Sequence, residues 1–154
     1  MSISKERRNQ LIRLADEALK AKEVILKANT TKEGETSWDI LESYNGQVAS
    51  LSVSIAMTGL LPTLAIFYQD KPESESDPKK AYRRNVLEVV ARMITADGKD
   101  KDWNFSAEGK YAYNLMEYTV NLVNDAKLNS LKKEIVECAI ALKLVVRTYN
   151  LVKS

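Results

Sequence analysis

Hydrophobic positions recur along this chain with the spacing of helices almost from end to end. Leu11, Leu14, Ala15, Ala18 and Ile25 fall on one face of a first segment, the three-to-four periodicity of an amphipathic helix. Ser4 stands where it can cap that helix, which is expected to run to about residues 29–32. The polar stretch TTKEGETS follows as a loop, with Thr36 or Ser37 as the next cap. KPESESDP reads as an acidic surface loop. After it Asp77 is placed to cap a helix with Pro78 in its first position, where a missing N–H costs least. Tyr82, Val86, Val89, Val90 and Met93 face inward along that helix, and Gly98 marks its end. GKDKDWNF reads as a loop and Ser106 as the cap of another helix. A last helix is expected from about residue 130 to the end, with Ile135, Cys138, Ala139, Leu142, Val146 and Tyr149 as its core stripe.

Residues 43–69 break the pattern, because none of them is charged in a chain that is 29% charged. Their length would permit a membrane span. Three features oppose one. Asn45, Gln47, Ser50, Ser52, Ser54 and Thr58 dilute the hydrophobicity, and Gly59 and Pro62 interrupt the helical run. The flanks carry Glu35, Asp39 and Glu42 before and Asp70, Glu73 and Glu75 after, which gives no positively charged anchor. The stretch is expected to form two helices meeting near Thr58 and Gly59, both buried on most faces at the centre of a bundle. With only 5 Gly and 3 Pro in 154 residues, and no convincing strand or internal repeat, the expected fold is all-α. It is a single-domain bundle of about five to six helices over residues 1–154, without a sheet.

Composition narrows the chemistry. The chain has no histidine and a single cysteine, Cys138. Imidazole bases, Ser-His-Asp triads, histidine metal sites and disulfide frameworks are thereby excluded. Cys138 lies on the apolar stripe of the last helix and reads as a buried structural thiol. Gly46, Gly59 and Gly98 stand alone, so no phosphate loop is present, and DGKDKD lacks the ligand spacing of an EF-hand. Asp16 and Glu17 sit among Lys20 and Lys22 as a solvated helix face does. These observations predict a protein that is not an enzyme and that uses no cofactor and no metal. The start MSISKERRNQ lacks the apolar core of a signal peptide, so a cytoplasmic location is expected.

Charge is more informative in its distribution than in its net value of +2. Acids concentrate between Glu33 and Asp77, where Lys71 is the sole base. Lys79, Lys80, Arg83 and Arg84 crowd the start of one helix, where four bases oppose the macrodipole. Lys132, Lys143 and Arg147 fall on one side of the last helix. Arg7, Arg8, Arg13, Lys20 and Lys27 line the first helix but are mixed with acids. A one-sided basic face neutralises phosphates, and a solvated helix face looks the same in sequence. A second apolar stripe of Val136, Ile140, Leu144 and Leu151 lies away from the core stripe of the last helix. It marks either a central helix or one docked on another subunit. Trp103 and Phe105 are either a small interface anchor or a loop tucked onto the core.

The run SYNGQVASLSVSIAMTGLLPTLAIFYQDK resembles the central signature of the small subunit of the type III-B CRISPR effector, the Cmr complex. Tyr44, Gly59-Leu60, Ala65, Phe67-Tyr68 and Lys71 follow that order, and EIVECAIALKLVVRTYNLV, with Ala141-Leu142 and Arg147, is similar to the family's terminal helix. The chain departs from the pattern at residues 48–52, where the family often has a proline. It departs again at Leu144 or Val145, where the family has a tryptophan. The resemblance implies a non-catalytic subunit. Copies of it would stack as a minor filament beside other effector subunits and help bind a guide–target RNA duplex in antiviral defence. No membrane and no small-molecule substrate would be involved. The expected RNA-phosphate contacts are Lys79, Lys80, Arg83, Arg84, Lys143 and Arg147, and the expected subunit contacts are Val136, Ile140 and Leu144. A helical protein-interaction adaptor without nucleic-acid contact, or the small subunit of the related type III-A complex, stands as the alternative.

Overall fold

A computed structural model of the chain describes residues 4–21, 25–72 and 81–153. Among these residues six α-helices carry the fold: α1 (Lys5–Ala21), α2 (Glu42–Thr58), α3 (Leu60–Gln69), α4 (Arg83–Asp97), α5 (Tyr111–Asn121) and α6 (Asp125–Val146). Three short strands accompany them: β1 (Leu26–Thr30), β2 (Thr36–Leu41) and β3 (Asn150–Val152). One cluster of buried apolar side chains runs from Leu11 to Val146. The expected predominance of helix is correct, and the expectation of no sheet is not.

The sheet replaces the end of the expected first helix and the cap expected at Thr36 or Ser37. β1 and β2 pair antiparallel, with Leu26 opposite Ile40 and Thr30 opposite Thr36. The connection is a turn in which Gly34 donates to the Thr31 carbonyl at 3.0 Å and Thr31 donates to Glu35 at 2.8 Å. Gly34 takes φ +83 there, a left-handed conformation that glycine adopts without strain. Asn29, Thr30 and Thr31 are weak helix formers, so little opposes the strand. At the other end α6 stops at Val146 and does not continue through Tyr149 and Leu151. The Thr148 hydroxyl donates back to the Val145 carbonyl at 2.7 Å. The chain then turns into β3, parallel to β2, and Asn150 donates to Asp39 at 2.9 Å.

The uncharged stretch does form two helices meeting at Gly59, whose φ of +97 breaks the run. Pro62 sits in the first turn of α3, where no intrahelical N–H is lost. The expected central burial is not found. Tyr44, Val48, Leu51 and Ile55 form one buried stripe on α2, while Val53, Met57 and Ile66 remain more than half exposed. The central helix is α4, which packs against each of the other five. It buries Val86, Leu87, Val89, Val90, Ala91, Met93 and Ile94. Helix α6 buries nine residues. A low charge density marked α2 and α3 as interior, yet α4 and α6 bury more residues while carrying charges, and Glu134 of α6 is itself buried.

Helix starts divide into local and borrowed caps. Ser4 accepts from the Arg7 N–H at 3.1 Å, as the sequence predicts. Asn124 caps α6 by accepting from Lys127 at 3.0 Å, so the helix begins at Asp125, five residues before the start expected at Ser130. Ser106 does not cap α5, which begins at Tyr111. There the Glu88 carboxylate of α4 accepts from the Ala112 N–H at 3.0 Å. Asp77 and Pro78 lie outside the described residues. Gly98 ends α4 at φ +64, as expected.

Tyr44 ties α2 to the start of α4. Its hydroxyl accepts from the Tyr82 N–H at 3.2 Å and from Asn85 Nδ2 at 2.7 Å. Burial raises the phenol's pKa above its ordinary value. Removing this oxygen deprives two donors of an acceptor in a buried place. Tyr44→Phe is therefore expected to lose about 1–3 kcal/mol in urea unfolding. A variant as stable as the parent would remove this hydroxyl from the account of how α2 and α4 are joined.

Candidate functional site

Four of the six expected phosphate contacts, Arg83, Arg84, Lys143 and Arg147, fall at one end of the bundle. Tyr149, just past α6, hydrogen-bonds Asp16 near the end of α1, and Leu41↔Val152 joins β3 to the start of α2. Tyr44 then joins the start of α2 to the start of α4. Arg83 and Arg84 of α4 and Lys143 and Arg147 of α6 thus share that end. Lys79 and Lys80 lie outside the described residues.

The arginines at the start of α4 have partners within the fold. The Asp70 carboxylate accepts from the Arg83 N–H at 2.8 Å and lies 3.5 Å from its guanidinium. The Arg84 N–H reaches the Asp70 carbonyl at 3.0 Å. The Arg84 guanidinium stacks 3.7 Å from the Tyr68 ring centroid and donates to the Tyr68 carbonyl at 2.5 Å. An acid at a helix N-terminus offsets part of the repulsion between bases and macrodipole. Asp70 and Tyr68 thus offset part of the electrostatic cost read from the sequence, at Arg83 and Arg84. Lys143 and Arg147 stand at the C-terminal end of α6, where the dipole favours cations, and Arg147 is exposed.

Near that end, Lys20 pairs with Asp16 at 3.0 Å and lies 5.8 Å from the Trp38 ring and 5.9 Å from the Tyr149 ring. Burial pushes the Asp16 carboxyl up, but hydrogen bonds from Tyr149 and Lys20 outweigh it and hold it below the usual value. This cluster joins α1 to the sheet and leaves Lys20 engaged.

The expected subunit contacts lie in a groove. Val136, Ile140 and Leu144 recur every four residues on α6 and line a concavity of about 430 Å³ shared with α1. Leu11 and Ala141 form its floor. Ile140 is 45% and Leu144 40% exposed. Among the described residues, Arg8, Lys132 and Lys133 border the groove, with Glu137 as the one acid. Leu151, read as part of the same stripe, belongs instead to β3. Trp103 and Phe105 are buried at 5% and 2% exposure and belong to the core.

Sequence reading missed a buried charge cluster between α1, α4 and α6. Arg7 grips Asp97 with both guanidinium nitrogens at 2.6 and 2.7 Å and reaches Glu134 at 2.6 Å. Lys99 lies 3.4 Å from the other Glu134 oxygen. Glu134 is 1% exposed, and burial raises its pKa above the ordinary value against the pull of Arg7. The Arg7 hydrogen bonds hold Asp97 below its ordinary value. The signal was present in the stripe itself. Glu134 sits among Leu131, Ile135 and Cys138, an acid where only apolar residues belong. One turn on, burial and then Glu134 push the Cys138 thiol well up.

Among the described residues, no three His, Cys, Asp or Glu side chains converge as a metal site would require. None of the described helices is long and apolar enough to cross a membrane. No family model, curated protein or solved structure matches the chain.

Proposed function

We propose that the chain is a non-catalytic subunit of an RNA-guided effector of the type III-B CRISPR kind, working in the cytoplasm. It stacks on neighbouring subunits and lends basic residues to a guide–target RNA duplex. The observation that carries this reading is the open ridge of Val136, Ile140 and Leu144. A helix that already buries nine residues would leave such a ridge to solvent at a cost, unless a neighbour covers it. Arg83, Lys143 and Arg147, at one end of the bundle, are the described candidates for phosphate contact. Arg84 is held against Tyr68 and has less freedom to serve.

A protein-interaction adaptor that touches no nucleic acid is the second reading. The pairing of Arg83 and Arg84 within the fold favours it. Fluorescence anisotropy of a labelled guide–target duplex across a salt series separates the two. An RNA-contacting subunit loses affinity steeply as salt rises, with log K falling linearly in log salt. Charge reversal at Lys143 and Arg147 is expected to weaken binding and reduce the salt slope by about one to two. Absence of binding at low salt would leave the adaptor, and binding that the reversed variant retains in full would remove Lys143 and Arg147 from the RNA contact.

A further inference from the structure

The groove between α1 and α6 has a shape and a charge that select its occupant. The two helices run parallel, since Arg7 meets Glu134 at one end and Asp16 meets Tyr149 at the other. Residues lining the groove extend from Asn129 to Leu144 on α6, about 22 Å of helix. That is the length of a four-turn helix laid alongside. The ridge offers apolar contacts every four residues, the spacing that receives anchors one turn apart on a docked helix. An extended segment would instead seek a sheet edge, and among the described residues no strand lines this groove.

The rim supplies the second constraint. Among the described residues, Arg8, Lys132 and Lys133 stand around the apolar floor against Glu137 alone. Among the described residues none of these three bases pairs with a carboxylate. Three unanswered cations around an apolar trough complement a segment that is apolar on one side and acidic on its flanks. A phosphate backbone would satisfy the bases but leave Val136, Ile140 and Leu144 uncovered.

From this we infer that the α1–α6 groove docks an acidic amphipathic helix of a partner protein. The inference rests on the reading of Val136, Ile140 and Leu144 as a subunit contact, and it names the kind of partner that makes that contact. The RNA-facing residues take no part in it.

The test is fluorescence anisotropy of the full chain with two labelled four-turn peptides. Both carry leucine at alternating third and fourth positions. One has glutamate at the remaining positions and the other lysine. The acidic peptide is expected to bind at least about tenfold more tightly than the basic one. Ile140→Asp is expected to abolish binding. Lys132→Glu with Lys133→Glu is expected to reverse the preference, and circular dichroism of each variant establishes that it is folded. Equal binding of both peptides, binding that Ile140→Asp leaves intact, or no binding overturns the proposal. So does concentration-dependent self-association in sedimentation that Ile140→Asp abolishes, because a second copy would then cover the groove. Displacement of the acidic peptide by duplex RNA from Lys132 and Lys133 also overturns it. The RNA series with Lys143 and Arg147 reversed is run in parallel. Retained RNA binding without peptide binding removes the helical partner and leaves the RNA role standing.

Discussion

Replacing Arg7 by methionine is expected to destabilise the protein by about 3–5 kcal/mol near neutral pH, measured by urea unfolding. The guanidinium holds two carboxylates on two different helices, Asp97 of α4 and Glu134 of α6, at 2.6–2.7 Å. Methionine would fill much of the same volume but leave both acids with less countercharge. Glu134 is nearly inaccessible to water. Lys99, more than half exposed and 3.4 Å away, is a weak substitute. Removing one member of a buried charge cluster costs more than the cluster contributes as a whole, because the remaining charges stay desolvated. A loss near 1 kcal/mol or less would mean that water or Lys99 compensates, and the cluster would be a peripheral ornament of the fold.

The same variant carries a signed pH dependence. In the parent protein the folded-state pKa of Asp97 is depressed. Its contribution to stability is present above the unfolded aspartate value of about 3.9 and is lost as pH falls through the folded value. Glu134 is shifted the other way, upward by burial. Its favourable contribution is present below the unfolded glutamate value of about 4.3 and is lost as pH rises through the folded value. Without Arg7 both carboxyls are expected to rise, so the folded variant takes up protons more readily than the folded parent. The gap in stability between variant and parent is therefore widest near neutral pH and narrows in acid. A gap constant from about pH 7 to about pH 4 would show that Arg7 acts by packing and not by charge.

How much of this was legible in the sequence follows from whether the signal was local. Gly59, Pro62, Gly98 and Ser4 act on their own neighbourhoods, and the breaks and caps they mark are where the pattern puts them. The sheet rests on distant partners. β1 shows one buried residue followed by four exposed ones, so it has no alternation to read. β3 is three residues long and finds β2 across more than a hundred residues of sequence. The caps of α4 and α5 come from Asp70, just past α3, and from Glu88 of α4. The groove divides in the same way. Its ridge was visible as a second stripe on the last helix, but its basic rim needs Arg8 from α1, and only packing brings that residue beside α6.

Phe105 offers the second large effect and decides between two meanings of one sequence feature. Trp103 and Phe105 in a charged loop suited an interface anchor as well as a core contact. In the structure the Phe105 ring is 2% exposed and meets Tyr118 edge-on at 5.7 Å between centroids. Its backbone is fixed as well. The Phe105 N–H donates to Thr95 Oγ1 at 3.0 Å, and its carbonyl accepts from Asn114 at 2.8 Å. These bonds hold the loop between α4 and α5 against both helices, so the cavity left by a lost ring cannot readily collapse. Phe105→Ala is expected to lose about 3–5 kcal/mol. Phe105→Leu, which keeps most of the apolar volume, should lose distinctly less. If Phe105 were an anchor for a partner, alanine would weaken association and leave the isolated protein's unfolding midpoint unchanged. The two meanings thus give opposite results in a single unfolding curve, and the burial of the ring commits the structure to the core contact.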